Sequence, residues 1–343
     1  MTGPFDSLAA PAVRIAEVPT PVERFDVFGT ATTSFWVKRD DLTHPLYGGN
    51  KVRKLERIFA TAKALGRTRI VTVGALGSHH VLATTVHGTR AGFAVEAALV
   101  AQPVTDHVIE NLRASLAQGL VAHPCRTWSG VPWAVLRRLG RDALYVPPGG
   151  SNVDGALGYV DAARELAAQI RGGLLPEPDL VYVTLGSGGT AAGIGAGFDL
   201  EGLRSKVVAV GVASPPFAVQ WSLRRLYRQV AKRVGVATTS ASFERRFDVD
   251  WSQFGAGYGH ATPACEAAIR EAHTSGLELD ATYTGKTFAA ARARVSVGDA
   301  TSILFWHTLS ASPRAPLLAS APSIEDLRSR PKLGPLLPTS RRT

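Results

Sequence analysis

The chain has 343 residues, 45% hydrophobic and 19% charged, with a net charge of +10 at neutral pH. That length accommodates two domains with separate cores, and the composition is that of an ordinary globular protein. The basic excess forms no aromatic-interleaved stripe, which speaks against a nucleic-acid partner, and no apolar run is long enough to span a bilayer. Cys125 and Cys265 stand far apart in no metal-ligand spacing, as expected in a reducing compartment. Residues Met1 to Val13 lack a basic stretch followed by an apolar run, so no signal peptide is expected and a cytoplasmic location is predicted.

Residues 1–34 read as an irregular lead-in broken by Pro4, Pro11, Pro19 and Pro21. A strand at 34–38 precedes a helix over 51–65, then a strand at 69–73 and a helix at 79–91. A strand over 94–100, a helix over 105–118 and a short strand near 120–121 continue the alternation. An amphipathic helix from about 155 to 171 leads to the clearest buried strand, 179–185, and then to a helix of small residues. A strand at 207–212, a basic helix at 216–235, helices at 263–275 and 287–295 and a strand at 302–306 follow. From 311 the Pro-, Ser- and Arg-rich composition predicts a mobile tail. Strands alternating with helices define an α/β fold of parallel βαβ units.

Tyr47-Gly48-Gly49-Asn50-Lys51 opens the first long helix. Asn50 is placed to cap it, and Lys51 sits in its first turn. There the helix dipole lowers the proton affinity of the amine, as Schiff-base chemistry with an aldehyde cofactor requires. The other reading is a solvated lysine at a helix start. A second glycine loop, Gly186-Ser187-Gly188-Gly189-Thr190, joins a strand to a helix and offers an anion cradle of backbone N–H groups. A dinucleotide would want a carboxylate ending the next strand, which reads Gly211-Val212-Ala213-Ser214-Pro215, so a single phosphate fits better. A plain tight turn is the alternative. Ser78-His79-His80 follows a strand end, but adjacent histidines make a poor metal site, and no metal is expected. No serine has glycine at both −2 and +2, which argues against a serine hydrolase. His87 and His260 read as structural. Tyr258 and Tyr283 stand on loops, where a phenol either packs or acts as acid or base.

The order GGN-Lys51-VRKLE, GALGSHH, PPGGSNVDGALGYV, TLGSGGTAAGI, GAGYG, TYTGK and ILFWHT resembles the fold-type II pyridoxal-phosphate enzymes over residues 36–308. Within them it is most similar to the 1-aminocyclopropane-1-carboxylate (ACC) deaminase / D-cysteine desulfhydrase family. The resemblance implies two three-layer domains with parallel sheets. The larger, cofactor-binding one is formed by 1–50 and 165–310, the smaller by 51–164, with 311–343 as tail. It implies pyridoxal 5'-phosphate as cofactor, a small amino acid as substrate and a homodimer.

By resemblance Lys51 is the Schiff-base lysine and residues Gly186, Ser187, Gly188, Gly189 and Thr190 hold the phosphate, with Asn50 and His79 as further cofactor contacts. Thr284 matches the position facing the pyridine nitrogen, where a hydroxyl leaves the ring largely unprotonated. The deaminase branch has Glu there, so Thr284 favours the desulfhydrase branch and β-elimination. Ser78 matches the serine that touches the substrate carboxylate, with His79 and His80 beside it. Tyr258 and Tyr283 match the active-site tyrosines. The implied scheme has Lys51 or Ser78 remove the Cα proton and Tyr283 assist departure of a β leaving group such as thiolate, giving a keto acid and ammonia. Where this chain has Gly77-Ser78-His79-His80, the family has Gln-Ser-Asn-His. Gly77 is expected to open space beside the substrate, and Leu309-Ser310, replacing Gly-Gly, to crowd a nearby loop. Cyclopropane ring opening, elimination from a larger β-substituted amino acid, and a cofactor-binding protein without turnover are the alternatives. A nicotinamide dehydrogenase lacks its ribose carboxylate.

Overall fold

The computed structural model of the protein describes residues 13–337. The leader reading of the first residues therefore lies outside the described part. Two sheets carry the α/β fold. The six-stranded one has the order β1 (Val22–Arg24), β2 (Ser34–Arg39), β10 (Ser302–His307), β7 (Leu180–Leu185), β8 (Lys206–Gly211), β9 (Phe247–Asp250). The four-stranded one has the order β5 (Val121–Cys125), β4 (Ala94–Val100), β3 (Arg69–Ala75), β6 (Ala143–Val146). All neighbours are parallel except β1, which pairs antiparallel with β2 at the edge. Strands such as β10, buried at every position, fit a sheet covered on both faces.

The covering helices include α1 (Asn50–Ala64), α2 (His79–Arg90), α3 (Asp106–Ala117) and α4 (Val131–Leu136) around the small sheet. Helices α5 (Val153–Arg171), α6 (Gly189–Glu201), α7 (Pro216–Arg233), α8 (Ser240–Arg246), α9 (Pro263–His273) and α10 (Thr284–Val295) follow. Helix α5 runs unbroken across residue 164, and its inner face, from Ala156 to Ala167, belongs to the same core as α6, β7 and β8. The small residues of α6 let this happen. A Cβ on Gly193 would come within 2.2 Å of Ala156 O, so the two helices meet backbone to backbone.

Beneath α1 lies a buried ion network. Arg53 pairs with Asp40 at 2.8 Å and with Glu165 at 2.9 Å, and Lys38 pairs with Glu165 at 2.5 Å. Trp306 Nε1 and Tyr159 Oη donate to the same Asp40 carboxylate, at 2.7 and 2.9 Å. Burial alone would raise the Asp40 carboxyl, but Arg53 and Lys38 outweigh it and hold it below its ordinary value. The network ties the start of α1 to β2, β10 and α5.

Two differences from the sequence reading are informative. The edge strands β1 and β9 were not foreseen, since three or four half-buried residues give no readable period. Through residue 337 the expected mobile tail is built into the molecule. Helices α11 (Ala315–Leu318) and α12 (Ile324–Ser329) bring Leu317, Leu327, Leu333 and Leu337 into the core around α1, α2 and α3. Arg314 pairs with Glu110 at 3.0 Å, and Arg113 donates to Pro322 O at 2.7 Å. Residues 338–343 lie outside the described part.

Candidate active site

The carboxyl ends of β3, β7 and β10 converge with the start of α1 on a cavity of about 480 Å³, a size suited to a small-molecule site. Asn50, Lys51, Ser78, His79, His80, Gly186, Ser187, Gly188, Gly189, Thr190, Tyr258, Tyr283 and Thr284 all line it. Loops hundreds of residues apart thus meet at one place.

Gly49, not Asn50, is the N-cap of α1. Its backbone is left-handed (φ +86°), and a Cβ there would meet Thr308 O at 2.7 Å. Asn50 is spent sideways instead. Its amide nitrogen donates to Thr190 Oγ1 at 3.1 Å, and its oxygen accepts from Lys51 Nζ at 2.7 Å. Burial lowers the Lys51 amine to about 8, while Asp280 pulls the other way.

The glycine loop opens α6, with Gly188 in the left-handed conformation (φ +89°). Ser151 Oγ lies 2.6 Å from Ser187 Oγ and accepts from Gly189 N at 3.2 Å. Lys54 Nζ donates to Gly149 O at 3.1 Å and to Ser151 Oγ at 3.4 Å. Lys54 is 2% exposed, and among the described residues no carboxylate stands within ion-pair distance of it. Burial and the neighbouring Lys51 push its amine well below the ordinary lysine range. An unpaired buried cation beside a row of backbone N–H groups calls for an anion. Sequence reasoning missed Lys54 and Ser151. The i, i+3 spacing from Lys51 was the available signal for the first, since it puts both amines on one helical face.

Opposite, the phenols of Tyr258 and Tyr283 lie 2.5 Å apart. Burial raises both, Tyr283 far above the ordinary phenol value, helped by Tyr258 and Asp280. Both are therefore neutral and able to donate. Asp280, also missed from sequence, is the only carboxylate lining the cavity among the described residues. It accepts from the backbone N–H groups of Thr282, Tyr283 and Thr284 at 2.8–3.1 Å. It also accepts the Thr284 hydroxyl proton at 2.6 Å. The Asp280 backbone N–H donates in return to Thr284 Oγ1 at 3.0 Å, so this buried hydroxyl both gives to and accepts from Asp280.

Ser78 caps α2, its oxygen accepting from Val81 N at 3.4 Å. His80 is fixed from below. Thr72 donates to Val146 O at 2.8 Å, so it must accept from His80 Nε2–H, also at 2.8 Å. Burial holds His80 neutral. His79 hydrogen-bonds with Tyr47 on one side and His107 on the other. Gly77 does not open space. A Cβ there would meet Val108 Cα at 2.7 Å, because helix α3 already fills the place. Ser310 does not crowd its loop but holds it, accepting from Gly48 N at 2.8 Å.

Fold and cavity together define a pyridoxal-phosphate-dependent enzyme of fold type II. The sequence pattern of the family described as pyridoxal-phosphate dependent enzyme matches residues 13–308, and the chain belongs to that family. Its cofactor is pyridoxal phosphate, and the unpaired Lys54 beside the 186–190 loop fits the phosphate of that group.

The chain is 35% identical to nocardicin C-9' epimerase of Nocardia uniformis subsp. tsuyamanensis, over 88% of this chain and 93% of that one. It is 31% identical to the D-cysteine desulfhydrase of Klebsiella pneumoniae, over 87% and 93%. The crystal structure of an ACC deaminase homologue superposes with a TM-score of 0.80 at 27% identity, covering 93% of this chain and 99% of that one. Among the described residues no helix is long and apolar enough to cross a membrane.

Proposed function

We propose that the protein is a pyridoxal-phosphate lyase that takes the Cα proton of a small amino acid and eliminates a β substituent such as thiolate, releasing a keto acid and ammonia. The observation that carries this reading is the neutral, hydrogen-bonded Tyr258–Tyr283 pair on the same cavity as a lysine whose amine sits near 8. Bound pyridoxal phosphate supplies an electron sink for the charge left at Cα. Lys51 anchors the cofactor and, once displaced by substrate, accepts the Cα proton at Nζ. Lys54, Ser151 and the N–H groups of 186–190 hold the phosphate, and Ser78 binds the substrate carboxylate. Tyr283 donates its proton to the departing group, and Tyr258, hydrogen-bonded to it, keeps that phenol in place. Working as a homodimer in the cytoplasm accords with two buried free cysteines and with the family resemblance.

The test is D-cysteine added to protein loaded with pyridoxal phosphate, following sulfide, keto acid and visible absorbance. Elimination predicts all three signals. Lys51→Ala should lose at least about 10³-fold in turnover together with the cofactor's visible band. Full turnover in that variant would sink the reading. A second reading, inversion at Cα without loss of a β group, is favoured by the 35% identity to an epimerase. It predicts deuterium uptake at Cα from heavy water and formation of the amino acid inverted at Cα, with no keto acid released.

A further inference from the structure

Tyr47 lines the cavity and is 3% exposed, and its hydroxyl lies 2.7 Å from His79 Nδ1. His79 Nε2 lies 2.9 Å from His107 Nε2, so one of these two nitrogens must carry the proton. Asn111 decides which. Its amide nitrogen donates to Gly77 O at 2.9 Å, which fixes the orientation of the amide, and the same nitrogen reaches His107 Nε2 at 3.2 Å. His107 Nε2 is therefore an acceptor. His79 must then be protonated at Nε2 and accept at Nδ1, and Tyr47 must donate to it. Neutral His107 is left with its proton on Nδ1. It is half-exposed and lines a second recess of about 70 Å³ beside Gln102 and Thr105.

We propose that Tyr47, His79 and His107 form a proton path between the catalytic cavity and the second recess, which His79, Tyr258 and Tyr283 also line. A proton arriving at the Tyr47 oxygen releases the phenolic proton to His79 Nδ1. The Nε2 proton of His79 passes to His107 Nε2, and the Nδ1 proton of His107 leaves to water. One proton enters, one leaves, and no ring keeps a net charge; the reverse shift brings a proton in. Burial and His107 lower His79 to about 3, and His107 is lowered mainly by burial and Arg314, so both rings are neutral near pH 7. The charges around them are Lys51, Asp280, and Arg314 paired with Glu110. Bound cofactor and substrate displace water from the cavity, and Cα chemistry then needs a route by which its proton exchanges with solvent. His79 stands where the family resemblance has Asn, so the path belongs to this chain rather than to the resemblance.

The inference rests on the Cα-proton chemistry proposed above, and two readouts separate the two. Nitrogen NMR of the histidine rings in the purified protein should show His79 protonated at Nε2 and His107 at Nδ1. A His79 protonated at Nδ1 overturns the path whatever the enzyme does. In heavy water, the loaded protein should exchange the Cα hydrogen of D- or L-alanine, a probe with no leaving group. His79→Asn and His107→Gln should slow that exchange by about tenfold or more. In His107→Gln, which lies outside the cofactor cavity, the visible cofactor band should stay unchanged. His107→Gly should be slow and regain exchange on addition of imidazole, which fits the recess. Exchange at the wild-type rate in these variants, or slowing that imidazole does not relieve, overturns the path. No exchange in the wild type with a normal cofactor band would count against the Cα reading, and the ring tautomers would still judge the path.

Discussion

Helix α1 places three basic side chains, Arg53 and Lys54 buried and Lys51 half-buried, in different surroundings. Arg53 turns to a closed network in which Asp40 and Glu165 answer its charge. Lys51 and Lys54, two residues before Arg53 and one after it, meet amide and hydroxyl oxygens but no carboxylate among the described residues. Removing one partner of a buried pair strands the other, so a satisfied network like the first is a device of the fold. A buried amine left without its counterion lowers its proton affinity and waits for an anion or an electrophile. The difference between the two faces separates structure from chemistry on fifteen residues of chain.

The largest effect expected from breaking this contrast is on stability. Asp40→Ala leaves Arg53 with Glu165 alone and removes the acceptor of Trp306 and Tyr159, at a cost of about 3–5 kcal/mol measured by chemical denaturation. A loss below about 1 kcal/mol would mean the network is not the structural element described. Its acid sensitivity has a defined sign. The Asp40 and Glu165 carboxyls, opposed by burial but held down by Arg53 and Lys38, lie below their ordinary values of 3.8 and 4.5. Their contribution is complete above those values and is lost as the pH falls through the depressed folded ones.

The other face should respond to an anion. Inorganic phosphate at ten times its dissociation constant should stabilise the cofactor-free protein by about 1.4 kcal/mol, read as a rise in Tm. Lys54→Met should abolish most of that response, and Asp40→Ala should keep it in whatever fraction stays folded. Equal phosphate stabilisation of the wild type and Lys54→Met would show that the lysine is not the anion's partner.

These contrasts also explain how much the sequence reveals. Buried strands such as Leu180–Leu185, and loops that combine glycine with a helix start, declare themselves locally, because period and turn chemistry are properties of a few consecutive residues. Lys51 and the 186–190 loop stood out as candidates for that reason, and the fold brings both to one cavity. Asp280 and Ser151 did not stand out, because their meaning lies in partners brought by tertiary contact, such as Thr284 for one and Ser187 with Gly189 for the other. Gly77 was misread for the same cause, since only the fold shows that Val108 fills the space. In the C-terminal stretch, Pro, Ser and Arg masked four leucines that become core residues only when a groove exists to receive them.

Asp280 gives the smallest effect expected and the finest test of the contrast, because it is the one carboxylate that the reactive face retains. It does not pair with Lys51, yet its charge opposes the burial that lowers the amine and so holds Lys51 up at about 8. Asp280→Asn keeps an oxygen to accept the Thr284 hydroxyl while removing the charge. Lys51 should then fall below 8, leaving more free amine at neutral pH, and the phenols of Tyr258 and Tyr283, which Asp280 raises, should fall with it. The pH dependence of Lys51 trapping by pyridoxal phosphate and borohydride reads the amine directly, and its midpoint should move to lower pH. A midpoint that stays in place or rises would mean that the carboxylate acts on Lys51 only through the loop it braces, not through its charge.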